Sequence, residues 1–146
     1  MENRFEKFSC LISNISQSLH KIASVEMDKY ELKGPMAIYL LTIFGHNEYG
    51  LTLMQLSEYC NRDKADVSRA IAHMQKKGLV VKEGKAVYKT RIKLTELGLS
   101  AAENIRKLAD DAAGRVEVGL SESELDSMYF ALETISENLR LMSRSR

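Results

Sequence analysis

Arg62–Lys93, which reads RDKADVSRAIAHMQKKGLVVKEGKAVYKTRIK, holds ten of the 21 Lys and Arg residues of this 146-residue chain and only three acidic residues. The segment therefore has a formal net charge of +7, while the rest of the chain carries −6 and the whole chain +1. A protein that is close to neutral but concentrates positive charge in one short stretch is suited to an anionic partner at that place.

The same segment has the pattern of a helix followed by a β-hairpin. Asp63 stands at the N-cap position of a helix that we expect to run to Lys77, and Gly78 supplies the residue that ends it. Leu79-Val80-Val81 predicts a short buried strand, and a second strand is predicted over Tyr88 to Leu94. The basic side of this second strand is formed by Lys89, Arg91 and Lys93, opposite Tyr88, Thr90, Ile92 and Leu94.

A shorter helix is predicted just before the basic one. Thr52 and Gln55 fit a capping box, so this helix should start at Leu53 and last about two turns, to Cys60-Asn61. Asn tolerates the left-handed backbone that a sharp turn between helices often demands. The short helix, the turn, the basic helix and the basic hairpin together predict a winged helix-turn-helix, a unit that presents its second helix to the major groove of DNA.

Amphipathic helices are expected on both sides of this unit. Gly34-Pro35 opens a helix before it, Thr95 caps a long helix to about Gly114 after it, and Ser121 and Glu124 form a capping box for the last helix. Apolar residues recur at helical spacing in the first helix (Phe8, Leu11, Ile12, Ile15, Leu19, Ile22) and in the last (Leu125, Met128, Leu132, Ile135, Leu139, Met142). Because these stripes exceed what one small winged helix can cover, we expect a homodimer.

The predicted fold class is therefore mainly α (α+β), with the element order α-α-α-α-β-β-α-α. We expect residues 1–146 to form a single domain. Within it, residues 34–98 are the winged helix-turn-helix DNA-binding lobe, and the N- and C-terminal helices of residues 1–32 and 99–146 form the dimerisation region.

The basic helix has two distinct faces. At about 100° per residue, Val67, Ile71 and Met74 fall on one side and should face the protein interior. Arg69, on the other side, is the best candidate for a bidentate contact to guanine, worth about 1–3 kcal/mol of base discrimination, with a phosphate contact as the alternative. The other predicted DNA contacts, to bases or phosphates, are Thr52, Lys64, Ala65, Ser68, His73, Lys76, Lys77, Lys85, Lys89 and Arg91.

Four motifs in residues 32–98 resemble the multiple-antibiotic-resistance (MarR) family of transcription regulators. They are Leu53-x-x-Leu56-Ser57, Asp63-Lys64-Ala65-Asp66-Val67-Ser68-Arg69, Lys77-Gly78-Leu79-Val80 and Leu94-Thr95-x-x-Gly98. The resemblance implies a homodimer held by its first and last helices, with two wings straddling a palindromic operator in double-stranded DNA. It also implies a regulator, more often a repressor than an activator, that a small-molecule effector or oxidation releases from DNA.

The chain departs from the family at the wing tip. There the family usually carries Asp-x-Arg, and the corresponding residues here are Ala86-Val87-Tyr88. Lys85 and Lys89 flank the gap but offer no planar guanidinium fork. We therefore expect the wing to contribute more to non-specific phosphate binding than to reading the minor groove, with a steep salt dependence.

Two further candidate sites are an effector pocket and a reactive cysteine. A candidate effector pocket near the dimer interface involves His20, Tyr39 and Met54, with Met27 and Met36 as alternatives and plain core packing as the competing interpretation for each. Cys10 lies about where thiol-type sensors of the family keep their reactive cysteine. The tyrosines that would hydrogen-bond such a thiol fall on Ser24 and Gly34, which argues against an oxidant sensor.

Other classes of function lack their signatures. The histidines and cysteines show no metal-ligand spacing, so neither a metal nor a cofactor is expected, and no catalytic motif indicates an enzyme. No apolar run approaches the roughly 20 residues of a membrane span, and charged residues follow Met1, so we expect no membrane partner, no signal peptide and a cytoplasmic location. The alternatives left open are a winged-helix module that binds protein but not DNA, and a thiol-based redox regulator acting through Cys10.

Overall fold

The computed structural model describes residues 3–84 and 90–144. Its elements follow the predicted order: α1 Arg4–Asp28, α2 Met36–Gly45, α3 Leu53–Cys60, α4 Lys64–Lys76, β1 Val80–Glu83, β2 Arg91–Leu94, α5 Glu96–Val116 and α6 Glu122–Arg144. The predicted fold class, a mainly helical winged helix-turn-helix with helices at both ends, is confirmed.

The helix-turn-helix forms as its capping residues predict. The backbone N–H of Gln55 donates to Oγ1 of Thr52 over 3.2 Å, and the N–H of Thr52 donates to Oε1 of Gln55 over 2.9 Å, so both bonds of the capping box are present. Asn61 has a φ of 49°, the left-handed conformation expected for the turn before α4. Asp63 is the N-cap residue of α4, although its described side chain makes no capping hydrogen bond.

The first strand begins one residue later than predicted because Leu79 takes part in the hydrogen-bonded motif that follows α4. The N–H of Leu79 donates to the carbonyl of Met74 over 2.9 Å, and the N–H of Gly78 donates to that of Gln75 over 3.1 Å. These two bonds, with Gly78 at a φ of 77°, are a Schellman motif. The antiparallel ladder then pairs Val80 with Leu94 through to Glu83 with Arg91. The predicted strand residues Tyr88 and Lys89 lie outside the described residues.

An additional pairing joins the sheet to the helix-turn-helix. Leu51, just before α3, exchanges two backbone hydrogen bonds with Ile92 of β2, of 3.1 and 2.7 Å. The side chain of Asn47 accepts a third bond from the N–H of Leu94 over 2.8 Å. The loop before α3 is therefore anchored on the wing, which the sequence pattern did not indicate.

One hydrophobic core lies beneath these elements. It joins α2 (Tyr39, Leu40, Ile43), α3 (Leu56), α4 (Val67, Ala70, Ile71, Met74), the wing (Leu79, Val80, Ile92, Leu94) and α5 (Ala101, Ala102, Ile105), with Met27, Leu32 and Leu51. Tyr39 is fully buried in this core, and its hydroxyl has no hydrogen-bond partner among the described residues. Burial raises the pKa of Tyr39.

The chain divides into two compact units between Ala109 and Asp110, within α5. The first holds the winged helix-turn-helix and α1. In the second, the predicted capping box opens α6, since Ser121 and Glu124 exchange backbone-to-side-chain bonds of 2.8 and 3.2 Å. The assignment of residues 1–146 to a single domain stays a prediction. Within residues 3–84 and 90–144, no helix combines the length and apolar character needed to cross a membrane.

Thr95 and Gly98 hold the start of α5 against the residues that follow α4. The N–H of Thr95 donates to the carbonyl of Leu79 over 3.0 Å, while its hydroxyl donates to the carbonyl of Gly78 over 2.5 Å and accepts from the N–H of Gly98 over 3.0 Å. Gly98 thus lies directly against Leu79, and a Cβ on Gly98 would fall 2.0 Å from the Leu79 carbonyl oxygen.

We therefore expect Gly98→Ala to lower the free energy of unfolding by about 1–3 kcal/mol, as overpacking at a backbone contact does. Urea denaturation followed by circular dichroism measures the change. Gly114→Ala is the matched control, because a Cβ there meets nothing within 4 Å. Gly114 lies inside a helix, so this control should gain roughly 0.5–1 kcal/mol. Equal stability of the two variants would contradict the close contact at Gly98.

Candidate nucleic-acid interface

The two faces of α4 are arranged as the sequence predicts. Val67, Ile71 and Met74 are fully buried, and Ala70 joins them in the core. The opposite side exposes small and basic residues in a row: Lys64, Ala65, Ser68, Arg69, Ala72 and Lys76. Because small residues alternate with polar ones, this face allows close approach of the helix backbone to another surface.

Arg69 lies in the middle of the exposed face. Its guanidinium forms an ion pair with Asp66, one turn earlier in the helix, and the two side chains are 70% and 54% exposed. Exposed pairs of this kind contribute little to stability. Replacing the Asp66 carboxylate with another acceptor therefore costs little free energy. Until then, the ion pair holds the guanidinium near Asp66 on the helix surface.

Thr52 stands at the N-terminus of α3, half-buried. Its oxygen accepts the capping bond from Gln55, which leaves the hydroxyl proton outside that cap and able to donate to an anion. The first turn of α3 adds the partial positive charge of a helix N-terminus. This arrangement fits a phosphate contact at the N-terminus of α3.

His73 and Lys77 differ from the other predicted contacts because both are engaged with Glu31. Nε2 of His73 lies 2.8 Å from the backbone carbonyl oxygen of Glu31, and Nζ of Lys77 lies 2.7 Å from its Oε2. Glu31 belongs to the connection between α1 and α2. The hydrogen bond and the charge of Lys77 hold the pKa of the Glu31 carboxyl below its ordinary value.

The wing is described only at its base. Nη1 of Arg91 lies 3.4 Å from the carbonyl oxygen of Gly50, and Lys93 pairs with Glu83 across the hairpin over 3.2 Å. The predicted contacts Lys85 and Lys89, and the departure from the family at Ala86 and Tyr88, lie outside the described residues.

The predicted effector residues occupy three different environments. His20 is exposed on α1, Tyr39 is inside the core, and Met54 is 56% exposed on α3. An open depression of about 660 Å³ at the base of the wing has none of the three in its lining, which consists of Glu48, Tyr49, Glu83, Gly84, Arg91 and Lys93. The effector pocket therefore stays a prediction, and for Tyr39 the structure favours the competing interpretation of core packing.

The cysteines are separate from one another and free. Cys10 is exposed on α1, and Cys60 is half-buried at the end of α3, with its Sγ 3.5 Å from Oγ1 of Thr42. Over residues 3–84 and 90–144, no group of three or more His, Cys, Asp or Glu side chains could hold a metal ion.

Comparison with known proteins finds a family model that matches part of the chain. Residues 32–86 match the sequence model of the MarR family. This match covers 55 of the 146 residues of the chain. No sequence among the curated proteins matches significantly.

Solved structures of MarR proteins share the fold over nearly the whole chain. The MepR–DNA complex of Staphylococcus aureus has a TM-score of 0.83 at 21% identity, over 94% of this chain and 99% of MepR. A MarR protein of Peptoclostridium difficile has a TM-score of 0.80 at 20% identity, over 95% and 89%. A structure from Listeria monocytogenes described as a MarR family regulator with 26mer DNA has a TM-score of 0.78 at 24% identity, over 95% and 90%.

Three residues outside the quoted motifs connect distant parts of the winged helix-turn-helix, and the sequence pattern did not indicate them. Glu31, Asn47 and Leu51 all contact elements at least 40 positions away in the chain. Glu31 gave no signal in the sequence, because a glutamate beside other charged residues reads as a solvated surface position. Its φ of 55°, uncommon for a residue other than glycine, is visible only in the structure.

The Glu31–Lys77 ion pair predicts how the free energy of unfolding changes at low pH. A carboxyl whose pKa is lower in the folded than in the unfolded state stabilises the fold above its unfolded pKa, and that contribution is lost as the pH falls through the folded value. The advantage in unfolding free energy of the wild type over Glu31→Gln should therefore be constant at neutral pH and shrink below about pH 4. Urea midpoints measured across this range test it. In a Lys77→Ala background the pH-dependent difference should largely disappear, and its full persistence there would exclude the ion pair as its cause.

Proposed function

We propose that this protein is a MarR-type, sequence-specific DNA-binding repressor that binds a palindromic operator as a homodimer and is released by a small-molecule effector. The observation that carries the proposal is the exposed face of α4, where Arg69 stands among small residues and is flanked by Lys64 and Lys76. The MepR and Listeria structures both contain DNA, which supports the same use of this fold.

The charge distribution favours DNA over a protein partner. A winged-helix module that binds only protein has no need of a basic exposed face, whereas Arg62–Lys93 carries ten basic residues against three acidic ones. Phosphate contacts from Lys64 and Lys76 would fix the register of the helix, and Arg69 would read a base edge. Absence of any duplex affinity at about 50 mM salt, where electrostatic binding is strong, would favour the protein-binding alternative instead.

The dimer is supported by two uncovered apolar helix faces. In α1, the side chains of Leu11, Ile12, Ile15, Leu19 and Ile22 are all exposed in the single chain. In α6, the same is true of Met128, Leu132, Leu139 and Met142. A monomer seldom leaves stripes of this length in water, so a second copy of the chain is the simplest cover for them. Two recognition helices would then reach major grooves about 34 Å apart, or a multiple of that spacing.

Arg69→Ala tests the reading of a base. On duplexes selected from a random pool, we expect this variant to lose about 1–3 kcal/mol of discrimination at one base pair in each half-site and to keep its preference elsewhere. Fluorescence anisotropy with single-substitution duplexes measures the discrimination. A loss of affinity that is equal for all sequences would show that Arg69 holds a phosphate instead.

Repeating the selection with candidate ligands and with peroxide tests release by an effector and the role of Cys10.

Ile15→Glu tests the dimer. Ile15 is 55% exposed in the single chain, so the substitution costs the protomer little, but it places a charge in the proposed interface. We expect the dimer dissociation constant to rise at least roughly tenfold, because an unpaired charge is costly to bury. Sedimentation equilibrium measures the constant. Gln17→Glu makes the same charge change at an exposed polar position of the same helix and should leave the dimer intact. A wild type that sediments as a monomer would contradict the proposal.

A further inference from the structure

The sequence pattern assigned His73 and Lys77 to DNA contacts, but their geometry suggests a different task. We infer that Glu31, His73 and Lys77 form a latch between the α1–α2 connection and the end of the recognition helix, so that His73 and Lys77 act on DNA binding by positioning α4 and not by touching the duplex. The inference rests on the proposed function, since positioning matters only if α4 meets DNA.

The latch has two bonds to one residue. The carbonyl oxygen of Glu31 lies 2.8 Å from Nε2 of His73, and its carboxylate lies 2.7 Å from Nζ of Lys77. His73 and Lys77 are four residues apart and therefore project from the same side of a helix. Because one bond uses the backbone and the other the side chain, Glu31 restrains α4 both in position and in rotation about its axis.

The backbone of Glu31 indicates that this residue is held for its contacts. The N–H of Leu32 donates to the carbonyl of Met27 over 3.0 Å, and the N–H of Glu31 donates to that of Asp28 over 3.1 Å, which together make a Schellman motif at the end of α1. The left-handed position of that motif is normally glycine, but here it is Glu31 with a φ of 55°. Met27 and Leu32 are buried in the core and fix the turn around it. A strained residue so anchored presents its carbonyl in one direction only.

The charges also argue against direct phosphate contacts. Lys77 shares its charge with the Glu31 carboxylate, so the pair brings no net positive charge to the α4 surface. A phosphate that took Lys77 away would leave the Glu31 carboxylate unpaired beside a polyanion. Lys76, the adjacent residue, is exposed and makes no ion pair among the described salt bridges. The two neighbouring lysines therefore have different tasks.

The latch connects two parts of the proposed mechanism. Glu31 lies three residues after the end of α1, whose exposed apolar face is the proposed dimer contact. His73 is in the last turn of α4, and Lys77 is its C-cap residue. A shift of the end of α1 is therefore transmitted to the recognition helix through two short bonds. Without them, α4 remains packed through Val67, Ile71 and Met74, but its last turn is freer to move.

The adjacent lysines give a matched test through the salt dependence of affinity. Each phosphate contact contributes about 0.9 to the slope of log K against log [salt]. Lys76→Ala, a phosphate contact, should lower the magnitude of that slope by about 1.8 for the two copies in a dimer. Lys77→Ala should weaken binding roughly threefold to tenfold, the range of positioning effects, and leave the slope unchanged. A slope that falls equally in both variants would overturn the latch.

The direction in which Glu31→Gln changes the affinity for DNA distinguishes the latch from simple competition for Lys77. Removal of an acidic group near a DNA-binding face should tighten binding if Glu31 only competes with phosphate for Lys77. If the latch positions α4, binding should weaken by about as much as in Lys77→Ala, and the double variant should lose little more than either single one. His73→Ala should weaken binding to all duplexes alike, and His73→Gln, which can still donate to the Glu31 carbonyl, should restore part of the loss. Tighter binding by Glu31→Gln, or a His73→Ala defect confined to one base pair, would contradict the inference.

Hydrogen exchange on the free protein separates this inference from the proposed function. Glu31→Gln and Lys77→Ala should both speed the exchange of amides in the last turn of α4, while Lys76→Ala should not. This result without any DNA affinity would support the latch and refute the proposed function. Unchanged exchange in a protein that binds DNA would refute the latch alone.

Discussion

Burial of one face of the recognition helix is the constraint on which the rest of this structure depends. Val67, Ile71 and Met74 are fully withdrawn from water against Tyr39, Leu40 and Ile43 of α2, Leu56 of α3 and the first residues of the wing. Since the rotation of α4 is set by these contacts, the opposite face is exposed by necessity. Arg69 and its small neighbours therefore lie on the exposed face, where the guanidinium of Arg69 pairs with Asp66.

The positions of the two ends of α4 are set by features other than burial of its core face. At the N-terminal side, the left-handed Asn61 turns the chain from α3 into α4. At the C-terminal side, Gly78 reverses the chain, and Thr95 ties the reversal to α5 through the carbonyls of Gly78 and Leu79. The bonds from Glu31 to His73 and Lys77 act on the same end from a different direction. Helix α4 is thus held by its core face along its length and by hydrogen bonds at its C-terminal end, while the turn at Asn61 precedes its N-terminal end.

Most of the fold was predictable because its signals are local. Thr52 with Gln55, Ser121 with Glu124, and Gly78 after two lysines each decide a helix end through neighbours within a few residues, and the structure confirms all three. The start of the first strand was misplaced by one residue because the Schellman motif competes with the strand for Leu79, and the pattern of apolar residues does not distinguish the two. The pairing of Leu51 with Ile92 was not foreseen, since a single isolated bridge leaves no periodic pattern.

The sequence by itself determined the features of the proposed interface: a basic segment of charge +7, a helix with one apolar and one basic face, and motifs that resemble the MarR family. These follow from composition and helical periodicity, which are properties of neighbouring residues. Only the tertiary structure decided which of the basic residues are available. It paired Lys77 and His73 with Glu31, more than 40 positions earlier, and left Lys76 exposed. Two adjacent lysines look alike in a sequence, and they differ only because a distant turn brings a carboxylate within hydrogen-bonding distance of one of them.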